Sequence, residues 1–302
     1  MSGRKPVGGR LVLVATPIGN LGDLSPRARE VLAEADLICC EDTRRTRALL
    51  SAAGIPARRD GRERLLSLHG HNERTRLERV TACVDAGGMV AVVSDAGTPG
   101  ISDPGAWLAA QLAAAGATVS TVPGPTSVVG ALVVSGLPSD RFTVEGFLPR
   151  KGAERRRRMA ALMTDERTAV VLEAPSRVAG TLAELAALDP DRPAAVVREL
   201  TKLHEEVWRG TLSEAADAFA AREVRGEVVL VVGGAPAPEP ADDAVVEQAI
   251  RAALAADPSA GPRQLADRVA ASLALPRRRA YEAALRVRGG RGQPGGIGPD
   301  RA

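Results

Sequence analysis

The sequence predicts an α/β protein in three parts. A mainly parallel N-terminal sheet domain spans residues 10–123, a mixed-sheet second domain spans 124–234, and a small helix-turn-helix-like helical unit spans 242–288 after a Pro-rich linker, 235–241. Three observations carry this. From residue 10 to about 140, short runs of Val, Leu and Ile alternate with stretches of helical periodicity, the pattern of a parallel sheet covered by helices. A second set of apolar runs follows, and two of them lie too close together for a crossover helix. Finally, Gly233 to Pro240 has no periodicity, and three short amphipathic patterns come after it.

In the first domain the strands are expected at Leu11–Ala15, Leu37–Cys40, Leu65–Leu68, Val90–Ser94 and Thr118–Val122. Helices are expected at Pro26–Ala35, Asn72–Ala86 and Ala106–Ala115, with a further one starting at Ser127. In the second domain the strands are Phe142–Val144, Ala169–Leu172, Ala194–Val197, Glu206–Trp208 and Glu227–Val232. Helices fit at Ser176–Leu188 and Leu212–Ala221, and the short gap after Val197 predicts an antiparallel pair. The C-terminal helices are Asp242–Ala256, Pro262–Ala271 and Leu275–Val287, and the Gly-, Pro- and Arg-rich tail 289–302 is expected to be disordered.

Composition narrows the function. The chain has 302 residues, enough for about two domains with cores, and 45% of them are apolar. No apolar segment approaches the ~18 residues that span a bilayer, and no signal-type stretch opens the chain, so a cytoplasmic protein without a membrane partner is expected. Three cysteines, Cys39, Cys40 and Cys83, form neither a disulfide framework nor a metal-ligand spacing. His69 and His71 lack a third convincing ligand, so no metal is expected, and contact with RNA or a crevice rim is the other reading. With six aromatic residues, stacking platforms for bases are poorly supported, and any nucleic acid would be held by charge and shape.

Three shaped turns follow predicted strands: Ala15–Asn20, Ser94–Gly105 and Val122–Ser127. Open α/β sheets bind ligands at the carboxyl ends of their strands, so three such turns meeting at one crevice predict a small-ligand site. GxGxxG and GxxxxGK[ST] are both absent, which removes support for dinucleotide binding and P-loop hydrolysis. In Ser94–Gly105 the glycines allow close backbone approach, and Asp95, Gly97, Thr98 and Ile101 are ligand candidates. Asp103-Pro104 reads as an N-cap followed by an N1 proline. Thr126 and Ser127 suit helix capping and ligand contact equally, and Asn72 is a natural N-cap.

Ala15-Thr16-Pro17-Ile18-Gly19-Asn20-Leu21-Gly22-Asp23, Cys40-Glu41-Asp42-Thr43-Arg44, Ser94–Gly105, Pro123-Gly124-Pro125-Thr126-Ser127, Glu173-Ala174-Pro175-Ser176-Arg177 and Arg198-Glu199-Leu200-Thr201-Lys202 together resemble the small-subunit ribosomal RNA methyltransferase I family. The resemblance covers residues 10–234, and the three-helix tail looks like that family's C-terminal helical unit. It implies a two-domain tetrapyrrole methylase-type fold and S-adenosylmethionine as methyl donor. It also implies transfer to the ribose 2′-hydroxyl of a cytidine in 16S ribosomal RNA, free or in the small ribosomal subunit.

The resemblance gives donor-binding candidates Pro17, Asp95, Gly97, Thr98, Ile101, Thr126, Ser127, Leu172, Gly226 and Val228. Methylating a hydroxyl needs in-line placement and a proton acceptor. Lys202, Glu173 and Glu199 are the catalytic candidates, with a desolvated Lys202 as base and the carboxylates orienting it or the sugar; the plain alternative for each is a strand-end salt bridge. Arg150, Lys151, Arg155, Arg156, Arg157 and Arg158 form the expected phosphate-binding cluster, joined by Arg44 and Arg177, and Pro276–Arg279 would extend it. Related folds pair, so a homodimer is expected by analogy. The competing readings are a tetrapyrrole C-methyltransferase of the same fold and a non-enzymatic RNA-binding assembly factor.

Overall fold

A computed structural model describes residues 8–236, 241–273 and 275–289. Most of the Pro-rich linker and nearly all of the tail expected to be disordered lie outside the described residues.

The first sheet contains β1 (Arg10–Val14), β2 (Leu37–Cys40), β5 (Leu65–Ser67), β6 (Met89–Val93) and β7 (Thr118–Val122). Its order is β5-β2-β6-β1-β7, and every pairing is parallel. Strands buried on both faces are continuous apolar runs, as in Met89-Val90-Ala91-Val92-Val93. Successive side chains go to opposite faces. Met89, Ala91 and Val93 join a core with α1 (Pro26–Glu34) and α2 (Thr43–Ala52), through Ala28, Leu32 and Leu50. Val90 and Val92 join one with α3 (Glu73–Asp85) and α4 (Ala106–Ala114), through Val80, Val84, Leu108 and Leu112. A two-strand ribbon, β3 (Arg58–Arg59) with β4 (Arg62–Glu63), precedes β5.

The second sheet contains β8 (Phe142–Phe147), β9 (Thr168–Glu173), β10 (Pro193–Arg198), β11 (Glu206–Thr211) and β12 (Val228–Val232). Its order is β11-β10-β12-β9-β8: only β8 and β9 are parallel, and β10 and β11 form the antiparallel pair that their spacing predicts. Val228, Leu230 and Val232 face α6 (Gly152–Thr164), α7 (Val178–Ala186) and α8 (Leu212–Ala220). Val229 and Val231 face α5 (Ser127–Ser135). This helix starts five residues after β7 of the first sheet and packs on the second, so the chain crosses between the sheets at Pro123–Thr126. Both sheets belong to one compact unit that ends at Ala235.

The remaining described helices, α9 (Asp243–Ala256), α10 (Pro262–Ser272) and α11 (Arg277–Gly289), form a separate unit. Val246, Ile250, Leu254, Leu265, Val269, Ala280 and Ala284 make its core. Asp242 caps α9 by accepting from the Val245 N–H at 2.7 Å. No described helix is long and apolar enough to cross a membrane.

Several local expectations change. The α4 N-cap is Gly105 at φ 120°, not Asp103. The buried Glu73 carboxylate fills that helix end, accepting from the Gly105 N–H at 2.9 Å and the Leu108 N–H at 3.2 Å. Asn72 occupies the N-cap position of α3, but its side chain turns back, accepting from the His69 N–H and donating to the Ser67 carbonyl. Helix α2 was not expected, because Glu41–Arg44 reads as a polar strand end. Its start is set by Asp42, whose carboxylate accepts from the Arg44 N–H at 2.7 Å.

Candidate active site

The three shaped turns are joined by hydrogen bonds. Thr16 and Gly97 exchange backbone bonds, 2.9 Å from the Thr16 N–H and 3.1 Å from the Gly97 N–H. The Thr98 hydroxyl donates to the Pro125 carbonyl at 3.1 Å, and the buried Ser94 hydroxyl lies within reach of the Ala96 and Gly97 carbonyls. Gly97, at φ 83°, adopts a backbone that a side chain would strain. These bonds fix the carboxyl-end edge of the first sheet as one wall.

The second sheet supplies the facing wall. Between the two lies a cavity of about 420 Å³, lined on one side by Ile18, Asp95–Thr98, Ile101–Asp103 and Thr126–Val128. On the other side stand Phe147, Leu172–Pro175 and Gly226–Val229, with Arg45 at the edge. Nine of the ten donor-binding candidates are on this lining: Asp95, Gly97, Thr98, Ile101, Thr126, Ser127, Leu172, Gly226 and Val228. Pro17 is not, and its neighbour Ile18 takes the place. Thr126 is the N-cap of α5 by position, yet its hydroxyl makes no capping bond.

Asp95 is already engaged. Its carboxylate accepts from the Asp42 N–H at 3.0 Å and lies 3.4 Å from Arg45, tying the turn after β6 to the start of α2. Asp103, expected to cap a helix, lines the cavity and has no ion pair among the described residues. Burial, with repulsion from Glu41, pushes its carboxyl up to about 6, against the pull of the Ser94 hydroxyl. Glu227 is a further lining residue that sequence reasoning missed as a candidate, although its neighbour Gly226 was named.

The three catalytic candidates divide. Glu173 is 2% exposed and fully bonded: it accepts from Arg177 Nε at 2.6 Å, the Ala174 N–H at 2.8 Å and the Thr181 hydroxyl at 2.6 Å. It lines the cavity floor as a clamped carboxylate. Glu199 and Lys202 form an ion pair at 2.8 Å, and Lys202 also reaches Glu227 at 3.2 Å. Burial alone would lower the Lys202 pKa, but the hydrogen bond to Glu199 and the charge of Glu227 outweigh it and hold the ammonium above its ordinary value. A Lys202 so paired is a fixed cation and not the desolvated base expected from the sequence.

Close backbone approach places this ion pair. A Cβ on Gly19 would collide with Lys202 Cγ, and one on Gly226 (φ 84°) would collide with the Glu199 carboxyl. Glu199 and Thr201 themselves hold left-handed backbone, at φ 52° and 68°.

The expected phosphate-binding cluster is thinned. Arg155 is buried because helical spacing puts it on the face of Met159 and Leu162. It donates to Glu184 at 2.9 Å, to the Thr181 hydroxyl at 2.9 Å and to the Pro149 carbonyl at 3.1 Å. Arg158 pairs with Glu145 at 2.7 Å, Arg177 with Glu173, and Arg44 with Asp42 at 2.8 Å. Arg150, Lys151, Arg156 and Arg157 stay exposed. In the C-terminal unit, Arg277, Arg278 and Arg279 pair with Asp267, Glu282 and Asp243, which reduces the extension expected there. His69 Nε2 lies 3.0 Å from the Asn72 amide, and no group of three or more potential ligands is placed for a metal among the described residues.

Comparison with known proteins agrees with this architecture. Residues 10–216 match the Tetrapyrrole (Corrin/Porphyrin) Methylases family. The chain is 43% identical over 284 residues to a Synechocystis protein named ribosomal RNA small subunit methyltransferase I, covering 92% of this chain and 98% of the relative. It is 51% identical over 231 residues to the Mycobacterium tuberculosis protein of that name, covering 75% and 78%. Among solved structures, uroporphyrin-III C-methyl transferase from Thermus thermophilus, complexed with S-adenyl homocysteine, superposes with a TM-score of 0.51 at 22% identity, covering 75% of this chain and 97% of that one.

The raised Asp103 pKa has a consequence for stability. Well below its ordinary value of 3.8 the carboxyl is protonated in both folded and unfolded chains, and it costs nothing. As pH rises from about 4 to about 6 the unfolded chain gives up the proton while the folded chain still holds it, so stability falls across that window, by at most roughly 3 kcal/mol before solvent screening, and levels off above it. Asp103→Asn is therefore expected to raise the urea midpoint at pH 7.5 and to leave it nearly unchanged at pH 3. Equal shifts at both values would contradict this account.

Proposed function

We infer the activity from a premise: the chain belongs to the tetrapyrrole methylases and, within them, to the ribosomal RNA small subunit methyltransferase I family. It is a methyltransferase that uses S-adenosylmethionine and acts on 16S ribosomal RNA. The acceptor in this proposal is the ribose 2′-hydroxyl of a cytidine. The observation that carries the reading is one cavity between the two sheets, with an apolar lining and a few polar groups.

The residues present fit such a donor. Ile18, Val128, Leu172 and Val228 offer apolar surface for an adenine ring, and the Thr126 hydroxyl, unused in capping, is free for a polar group. Asp95 and Glu227 suit a ligand carrying an ammonium group, and the carboxylates on the lining favour its sulfonium charge. When bound, S-adenosylmethionine supplies a methyl group already activated by its sulfonium. The chain's own task is then to place the ribose oxygen in line and to exclude water. Exposed Arg150, Lys151, Arg156 and Arg157 are the proposed phosphate contacts.

Incubation with tritiated S-adenosylmethionine tests the reading on small subunits, free 16S ribosomal RNA and a porphyrinoid. Label in ribosomal RNA, at a nucleotide made resistant to alkaline cleavage, is expected. Label in the porphyrinoid alone would favour a C-methyltransferase, and RNA binding without label an assembly factor. Arg156→Glu with Arg157→Glu is expected to weaken RNA binding roughly tenfold or more at 0.1 M salt and to flatten its salt dependence, leaving donor affinity unchanged. An unchanged salt slope in a filter-binding titration would remove these two arginines from the interface. A homodimer, by analogy with the fold, belongs to the same proposal; sedimentation at the 31.3 kDa monomer mass would withdraw it.

A further inference from the structure

Asp103 stands apart from every other carboxylate around the cavity. Glu173 is clamped by Arg177, Thr181 and a backbone N–H. Asp95 is held by the Asp42 N–H and Arg45, and Glu227 by Lys202. Asp103 is half-buried on the lining and has neither a cation nor a helix end to satisfy, since Glu73 already fills the N-terminus of α4.

The backbone delivers it there. Ser102, immediately before it, holds φ 63°, a left-handed conformation that is unfavourable for a residue with a side chain. Its hydroxyl lies 3.4 Å from where a Cβ on Gly146 would sit, at the bulge in β8. Ile101, Ser102 and Asp103 all line the cavity, so this bend turns the segment toward it before α4 begins.

We propose that Asp103 is the proton acceptor of the reaction, taking the hydrogen of the RNA hydroxyl as the methyl group transfers. The inference rests on the methyltransferase reading above. The hydroxyl oxygen forms a bond to the methyl carbon while the carbon–sulfur bond breaks, and its electron pair stays on sulfur to give the neutral thioether. The proton released from oxygen ends on the Asp103 carboxylate and later leaves to solvent.

The surrounding charges suit that task. Glu41, Asp95 and Glu227 face Asp103 and disfavour its ionised form; the Ser94 hydroxyl favours it, and Arg45 and Lys202 are drawn to Asp95 and Glu227. Its pKa of about 6 leaves it ionised and basic at neutral pH, near the useful range for a general base.

Single-turnover methyl transfer to small subunits, measured from pH 5 to 8.5, tests this. For the unaltered chain the rate is expected to rise tenfold per pH unit below about 6 and to level off above it. Asp103→Asn is expected to lower the plateau by about 10²- to 10⁴-fold and to abolish the slope, with S-adenosylhomocysteine affinity by calorimetry within about threefold. Asp103→Glu is expected to recover part of the rate and the pH dependence. Carbon-13 NMR should show a carboxyl titrating near 6 that disappears in Asp103→Asn. An Asp103→Asn rate within threefold of the original, an unchanged pH profile, or a loss confined to S-adenosylhomocysteine binding would overturn the assignment while the methyltransferase reading stands. No labelling of ribosomal RNA by the unaltered chain would overturn both.

Discussion

The cavity depends on one close approach. The loop after β10 brings Lys202 against Gly19 in the first turn of the N-terminal sheet, and brings Glu199 against Gly226 ahead of β12. Neither site has room for a Cβ, so the ion pair Glu199–Lys202–Glu227 sits where two backbones leave a gap. Glu199 and Lys202 are half-buried, so much of their attraction is offset by the cost of desolvating them. Their effect is geometric: they fix the loop after β10 to the segment ahead of β12, and Lys202 so held packs against Gly19 in the turn that follows β1, beside the cavity between the sheets.

Much of this was legible in the chain. Apolar runs and their spacing gave both sheets, including the antiparallel β10–β11 pair, because strands buried on two faces leave little choice of residue. The three Gly- and Pro-rich turns stood out because their shape is written in residues with restricted backbone. What stayed hidden depends on partners distant in sequence. Asp103 looks like a cap because Asp-Pro fits one; only the fold shows Glu73, thirty-two residues from Gly105, already occupying that helix end. Lys202 looks like a base until Glu199 and Glu227 are both seen beside it. Arg155 looks like one of four equivalent arginines, and the apolar face it shares with Met159 and Leu162 was the signal that set it apart.

Several cations serve the fold itself. Arg155 joins α6 to α7 through Glu184 and Thr181, and Thr181 in turn donates to Glu173 beneath the cavity. Arg192 reaches the carbonyls of Met163 and Gly233, and Arg64 those of Leu32, Ala33 and Ala35 at the end of α1. A guanidinium can satisfy several carbonyls at once, so counting arginines overstates the charge left for RNA.

The carboxylates along the cavity also bear on the end of the catalytic cycle. With S-adenosylmethionine as donor, the bound molecule arrives with a sulfonium charge and departs as a thioether without one. Asp95, Asp103 and Glu227 therefore attract the incoming molecule more strongly than the spent one. If Asp103 also takes up the proton, its own charge vanishes in the same event, and the lining loosens its hold on both sides of the pair. Turnover would then discharge the pocket electrically, favouring exchange of spent donor for fresh donor with no lid required to open.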